Sequence, residues 1–133
     1  MNKKLLISLI ILSFVTLYAN VLISSFTATS RNGNVVVSWQ TTAENDLKNY
    51  VIARKTVKGN FFIDIAEIAP KADKNYEYID QTAYKATDAV YVYQLKAVYN
   101  SSTTPEILGE TSVVHSVSDV TKRTWGSIKE LFR

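Results

Sequence analysis

The chain is built from short runs in which apolar residues recur at every second position, and each run ends in residues that turn the backbone. The clearest is AVYVYQLKAVYN (89–100), where Tyr91, Tyr93, Leu95 and Ala97 fall on one face and Val92, Gln94, Lys96 and Val98 on the other. A period of two marks a half-buried strand, and β-branched and aromatic residues suit its pleated surface. Similar runs are LISSFTATS (22–30), NVVVSWQT (34–41), YVIARKT (50–56), NFFIDIAEI (60–68), YEYID (76–80) and ILGETSVVHSV (107–117). Asn32-Gly33 marks a tight hairpin turn, since these residues favour positive φ, and Lys58-Gly59-Asn60 marks another. Seven short strands with no helix between them predict an all-β, antiparallel, seven-stranded sandwich.

The alternation also names a core. Val37 and Trp39 share one face of the second run, Tyr50 and Ile52 one face of the third, and Tyr91, Tyr93, Leu95 and Ala97 one face of the sixth. Between the second and third runs, TAENDLKN (42–49) reads as a polar bend, because Asp and Asn favour local backbone hydrogen bonds. Leu47 is expected to cap the core there from one helical turn. The chain contains no cysteine, so the core must hold the fold without disulfides.

The two ends differ from the body. Residues 1–19 place Lys3 and Lys4 before an apolar run from Leu5 to Val15, with Ala19 at a site suited to cleavage, the pattern of a secretory signal. The alternative is a retained N-terminal membrane anchor, for which Leu5–Ala19 is short of the ~20 residues a spanning helix needs. This predicts export to the periplasm, the cell surface or beyond. Residues 20–118 form the expected sandwich, and 119–133 a basic tail. Within the tail Trp125, Ile128, Leu131 and Phe132 recur at spacings of three and four, with Lys129 and Arg133 beside them, which predicts a short C-terminal amphipathic helix. These six residues are the candidate partner-binding set; protein docking and weak contact with an anionic membrane surface are the two uses open to them. The formal net charge of +3 resides at the ends, and the body is slightly acidic, so the composition does not point to nucleic acid.

VVVSWQTTAENDLKNYVIARK (35–55) and YVYQLKAVYN (91–100) together resemble the fibronectin type III family over about residues 22–117. The resemblance implies an immunoglobulin-like sandwich in which Trp39 is buried on the second strand and Tyr91 takes the place of the family's corner tyrosine. A secreted bacterial variety is similar in detail, with Trp39, Thr41 and Glu44, then Phe62 and Ile65, then Tyr93, Leu95 and Lys96 matching its pattern. TAYKATDAV (82–90) departs from it, lacking the Leu and Pro that usually brace the loop before the sixth strand, and no Arg-Gly-Asp loop is present. What the family implies is a binding or accessory module.

The residues capable of chemistry read differently. Glu44 and Asp46 are near enough in sequence to suggest an acid/base pair, but paired-carboxylate hydrolysis needs a cleft and one desolvated partner. The expectation is that Glu44 satisfies backbone amides of its bend. His115, the only histidine, is expected to face solvent, and a triad spelled from Ser112 or Ser116, His115 and Asp119 has no oxyanion hole. Asp64, Asp73, Asp80 and Asp88 have no calcium-loop spacing. No cofactor or metal is implied. The functional expectation is a non-enzymatic binding or structural module making protein–protein contacts at the cell envelope or surface. Its alternatives are a carbohydrate-binding module that stacks sugars on exposed tyrosines such as Tyr84 and Tyr99, and, third, a small hydrolase joining His115 or Glu44 to a nucleophile.

Overall fold

The computed structural model describes residues 19–83 and 89–115. Most of the expected signal, Tyr84, Asp88, Ser116, Asp119 and the whole 119–133 tail, with its expected helix and six candidate partner-binding residues, lie outside the described residues.

Among the described residues, seven strands follow one another: β1 (Asn20–Arg31), β2 (Asn34–Asn45), β3 (Leu47–Thr56), β4 (Ile63–Ile68), β5 (Asn75–Asp80), β6 (Ala89–Tyr99) and β7 (Glu106–His115). They form two antiparallel sheets, ordered β1-β2-β5 and β4-β3-β6-β7. The β1–β2 hairpin turns on Asn32 and Gly33, both at positive φ (53° and 79°), so each flanking strand keeps its inward face aligned through the turn.

The bend expected over 42–49 is instead strand on both sides. β2 continues to Asn45, only Asp46 separates it from β3, and its φ of 59° takes the reversal. Two ladders outweigh the local preferences of Asn and Asp: Asn45 is paired with Asn20 on β1, and Leu47 with Tyr99 on β6. Leu47 therefore packs against the core from a strand, not from a helical turn. The fourth strand is also shorter than predicted. It starts at Ile63, leaving Phe61 and Phe62 in the preceding loop. A register shift between Ile52 and Ala53 then lets both Ile65 and Ala66 lean on the core, which strict alternation does not allow.

The core lies between the sheets. Val37, Trp39, Tyr50, Ile52, Tyr91, Tyr93, Leu95 and Ala97 are all buried there, joined by Val21, Val35 and Tyr76. Trp39 from one sheet stacks on Tyr76 at 5.0 Å and meets Tyr50 of the other edge-on at 5.5 Å. Offset and edge-on ring pairs of this kind add to the stabilisation that burial itself supplies. On one side of the sandwich β1 lies against β7, and a Cβ at Gly109 would meet the Phe26 ring in ordinary contact at 3.5 Å.

Candidate functional site

The ionisable groups of the interior are engaged by hydroxyls. Glu44, near the end of β2, receives three hydrogen bonds on Oε1, donated by the hydroxyls of Thr41 (2.6 Å), Tyr50 (2.8 Å) and Tyr76 (2.7 Å). The expectation that Glu44 serves backbone amides is thus corrected: Glu44 lies within a strand, and its carboxylate accepts from side-chain hydroxyls instead. Burial, followed by the hydrogen bond and charge of Glu44, pushes the Tyr50 phenol far above its ordinary range. Tyr76 is pushed up to about 12, again first by burial. Asp46 turns outward and accepts from the Ser101 hydroxyl and from the Ser101 amide at 3.1 Å. The hydrogen bond from the Ser101 side chain holds the Asp46 carboxyl below its usual value. The two carboxylates therefore serve separate partners.

A second cluster surrounds Asp80, the last residue of β5, which is fully buried. It accepts from the Tyr93 hydroxyl at 2.7 Å, from the Thr82 amide and hydroxyl at 2.9 and 2.8 Å, and from the Arg54 guanidinium. Burial opposes its charge, but the bonds from Tyr93, Arg54 and Thr82 outweigh that and leave its pKa lowered. Arg54 reaches on over the Tyr91 ring, its guanidinium carbon 5.3 Å from the centroid. Alternation along β5 puts Tyr76, Tyr78 and Asp80 on one face, but nothing in the spacing signals that Arg54 and Tyr93 of the opposite sheet converge on Asp80.

His115 is fully buried, not solvent-facing. It lies two residues after Val113, so strand alternation turns both inward, and that spacing was the available signal. Its Nδ1 is hydrogen-bonded to the Ser30 hydroxyl of β1 at 2.7 Å, and its ring lies 6.4 Å from that of Tyr91. Nε2 has no hydrogen-bond partner among the described residues. Ser112 is exposed on the other face of β7, so it does not meet His115. The serine that does, Ser30, comes from a distant strand that spacing along the chain does not indicate.

Tyr99, expected as an exposed sugar platform, is only 5% exposed and donates its hydroxyl to Glu106 at 2.8 Å. The aspartates also separate: Asp64 meets Lys96 at 2.6 Å, Asp73 accepts from the Asn75 amide in a turn, and Asp80 is interior. Among the described residues, no three His, Asp or Glu side chains come together in a way that would hold a metal. Four concave surfaces stand out among the described residues. One, of about 470 Å³, is lined by Trp39 and Tyr76 of the core together with Ser25, Ser38, Gln40, Lys71, Asn75 and Glu77. Two others, of about 350 and 470 Å³, flank the β3–β4 loop, and a fourth of about 380 Å³ lies at the β6–β7 turn. None of the four is lined by Glu44, Asp80 or His115.

No protein-family model and no curated protein matches the chain. Among solved structures it is similar to a Fn3-like protein from Clostridium thermocellum at 20% identity and a TM-score of 0.51, over 72% of this chain and 93% of that one. It is also similar to a myokine at 12% identity and a TM-score of 0.50, over 71% and 96% of the two chains. A β-1,2-glucanase from Parabacteroides distasonis aligns at 16% identity and a TM-score of 0.49, with 78% of this chain covering 14% of the enzyme. With its strands in two antiparallel sheets and the likeness to the first of these structures, the chain has a fibronectin type III-like fold.

Proposed function

We propose that the chain is an exported, non-enzymatic module that works by making protein–protein contacts at the cell envelope or surface. The observation that carries the reading is the state of its ionisable interior. Glu44, Asp80 and His115 are held by hydroxyls from both sheets, and none of the four outer clefts is lined by any of them. Acid–base or nucleophilic catalysis requires such a group within reach of a bound substrate. A protein contact instead uses the outer sheet faces and loops, which lie clear of the packed core. Export is supported by Lys3 and Lys4 ahead of the apolar run from Leu5 to Val15. A likeness of fold alone leaves function to the site, which is why the reading rests on these side chains.

The test is in-cell crosslinking of the full chain in its source organism, with the location of the chain scored by protease access to intact cells. A recurrent crosslinked protein on an externally accessible chain is the expected result. Retention on immobilised glycans without any protein partner, or hydrolysis of an ester or glycoside that His115→Ala abolishes, would overturn the proposal.

A further inference from the structure

One pole of the sandwich carries apolar side chains that nothing described covers. Phe61 is 80% exposed, Ile63 69% and Val57 57%, and together they crown the β3–β4 loop and the start of β4. Clefts of about 350 and 470 Å³ flank the loop, the first lined by Val57, Ala89 and Val90, the second by Phe61, Ile63 and Tyr91. Single exposed apolar residues are ordinary, but three beside two concave surfaces form a patch that calls for an occupant.

The sheet register puts the exit of β7 at this same pole. Thr56 pairs with Tyr91 on β6, and Ala89 pairs with His115 on β7. With strands about 4.8 Å apart, the end of β7 lies roughly 10 Å from the end of β3. The chain then continues for eighteen residues to Arg133. From Ser116, ten residues lead to Trp125, a reach of up to ~33 Å. That distance is ample for the patch. The N-terminal end of β1, by contrast, pairs with Asn45 at the opposite pole.

The composition of the segment fits the patch. Wound at 100° per residue, Trp125, Ile128, Leu131 and Phe132 would occupy an arc of about 120°, while Lys122, Arg123, Lys129, Glu130 and Arg133 would all fall outside it. This matters because the patch is itself basic: Lys55 stands 4.8 Å over the Phe62 ring, Lys58 is on the loop, and neither shares an ion pair among the described residues. Contact through the apolar arc keeps the like charges apart. A thirteen-residue helix is marginal alone in water, and tethering presents the segment to the patch at an effective concentration in the millimolar range.

We propose that residues 121–133 dock intramolecularly on the Val57–Phe61–Ile63 pole, apolar arc inward, and leave their basic face outward.

Trp125 reports the contact, because Trp39, the one other tryptophan, is buried in the core. Acrylamide quenching of the full chain, with Trp125→Phe to isolate the Trp39 signal, should find Trp125 shielded. Phe61→Ser should lower the docked-to-free ratio by about tenfold or more, as expected for losing one buried phenylalanine, and so raise quenching. Leu131→Ser should do the same without altering the sandwich, and an unchanged Trp39 signal shows that each variant is folded. Trp125 as open to quenching in the full chain as in a free 119–133 peptide would overturn the proposal. So would quenching that neither substitution changes, or shielding that appears only when anionic phospholipid vesicles are added.

Discussion

Replacing Asp80 by Ala should be among the most damaging single changes in the molecule. The carboxylate is fully buried and accepts from Tyr93, from the Thr82 amide and hydroxyl, and from Arg54. Its removal leaves the buried Tyr93 hydroxyl without its acceptor and strands a guanidinium whose side chain is only 20% exposed. Breaking a buried ion pair from one side costs about 3–5 kcal/mol. The partial exposure of Arg54 lets it recover some water, which favours the lower half of that range. With a urea m-value of about 2 kcal/mol per molar for a domain of this size, the unfolding midpoint should fall by roughly 1.5–2 M with m unchanged. Tyr93→Phe, which removes one charge-assisted bond and leaves the ion pair, should cost about 1.5–3 kcal/mol. The sign with pH follows from the lowered pKa of Asp80. Its stabilisation is fully present above the unfolded-state value near 4 and is lost as pH falls through the lower folded value. Urea midpoints of the parent should therefore drop on acidification below about pH 4 more steeply than those of Asp80→Asn. An Asp80→Ala midpoint within ~0.3 M of the parent would refute the reasoning, because it would mean that Arg54 and Tyr93 find equal partners elsewhere.

Glu44→Ala leaves the Tyr50 and Tyr76 hydroxyls without their shared acceptor, and should cost about 2–3 kcal/mol by chemical denaturation. In a spectrophotometric titration, Tyr76 and Tyr99 should ionise near pH 12, and Tyr50 and Tyr93 only with unfolding. Because these phenols have raised folded pKa values, their contribution is complete below the unfolded value near 10 and is lost as pH climbs past it, so stability should decline in alkali. Gly33→Ala places a Cβ at a φ of 79° and should cost about 1 kcal/mol or more, seen as a lower thermal midpoint.

The strand pattern was legible because alternation is a local property. Val35, Val37 and Trp39 face inward for the same reason that Tyr91, Tyr93 and Leu95 do, and any sandwich built from these runs must bury them. His115 was legible in principle from Val113 two residues before it. The stretch 42–49 was not legible, because its Asn and Asp favour a bend locally while partners on β1 and β6, the farthest of them Tyr99 for Leu47, hold it extended. The polar clusters were hidden for a similar reason. Ser30 and His115 are 85 residues apart, and Thr41, Tyr50 and Tyr76 meet at Glu44 only once both sheets are stacked.

The amino-acid order alone therefore determined that the chain makes seven strands, which faces are apolar, and that its core must manage without a disulfide. Only the tertiary structure decided which carboxylate meets which hydroxyl, that the histidine is interior, and that Phe61 stands outside the core. Periodicity is set between neighbours in the chain, whereas a hydrogen bond across two sheets depends on register, and register is settled by all the strands together.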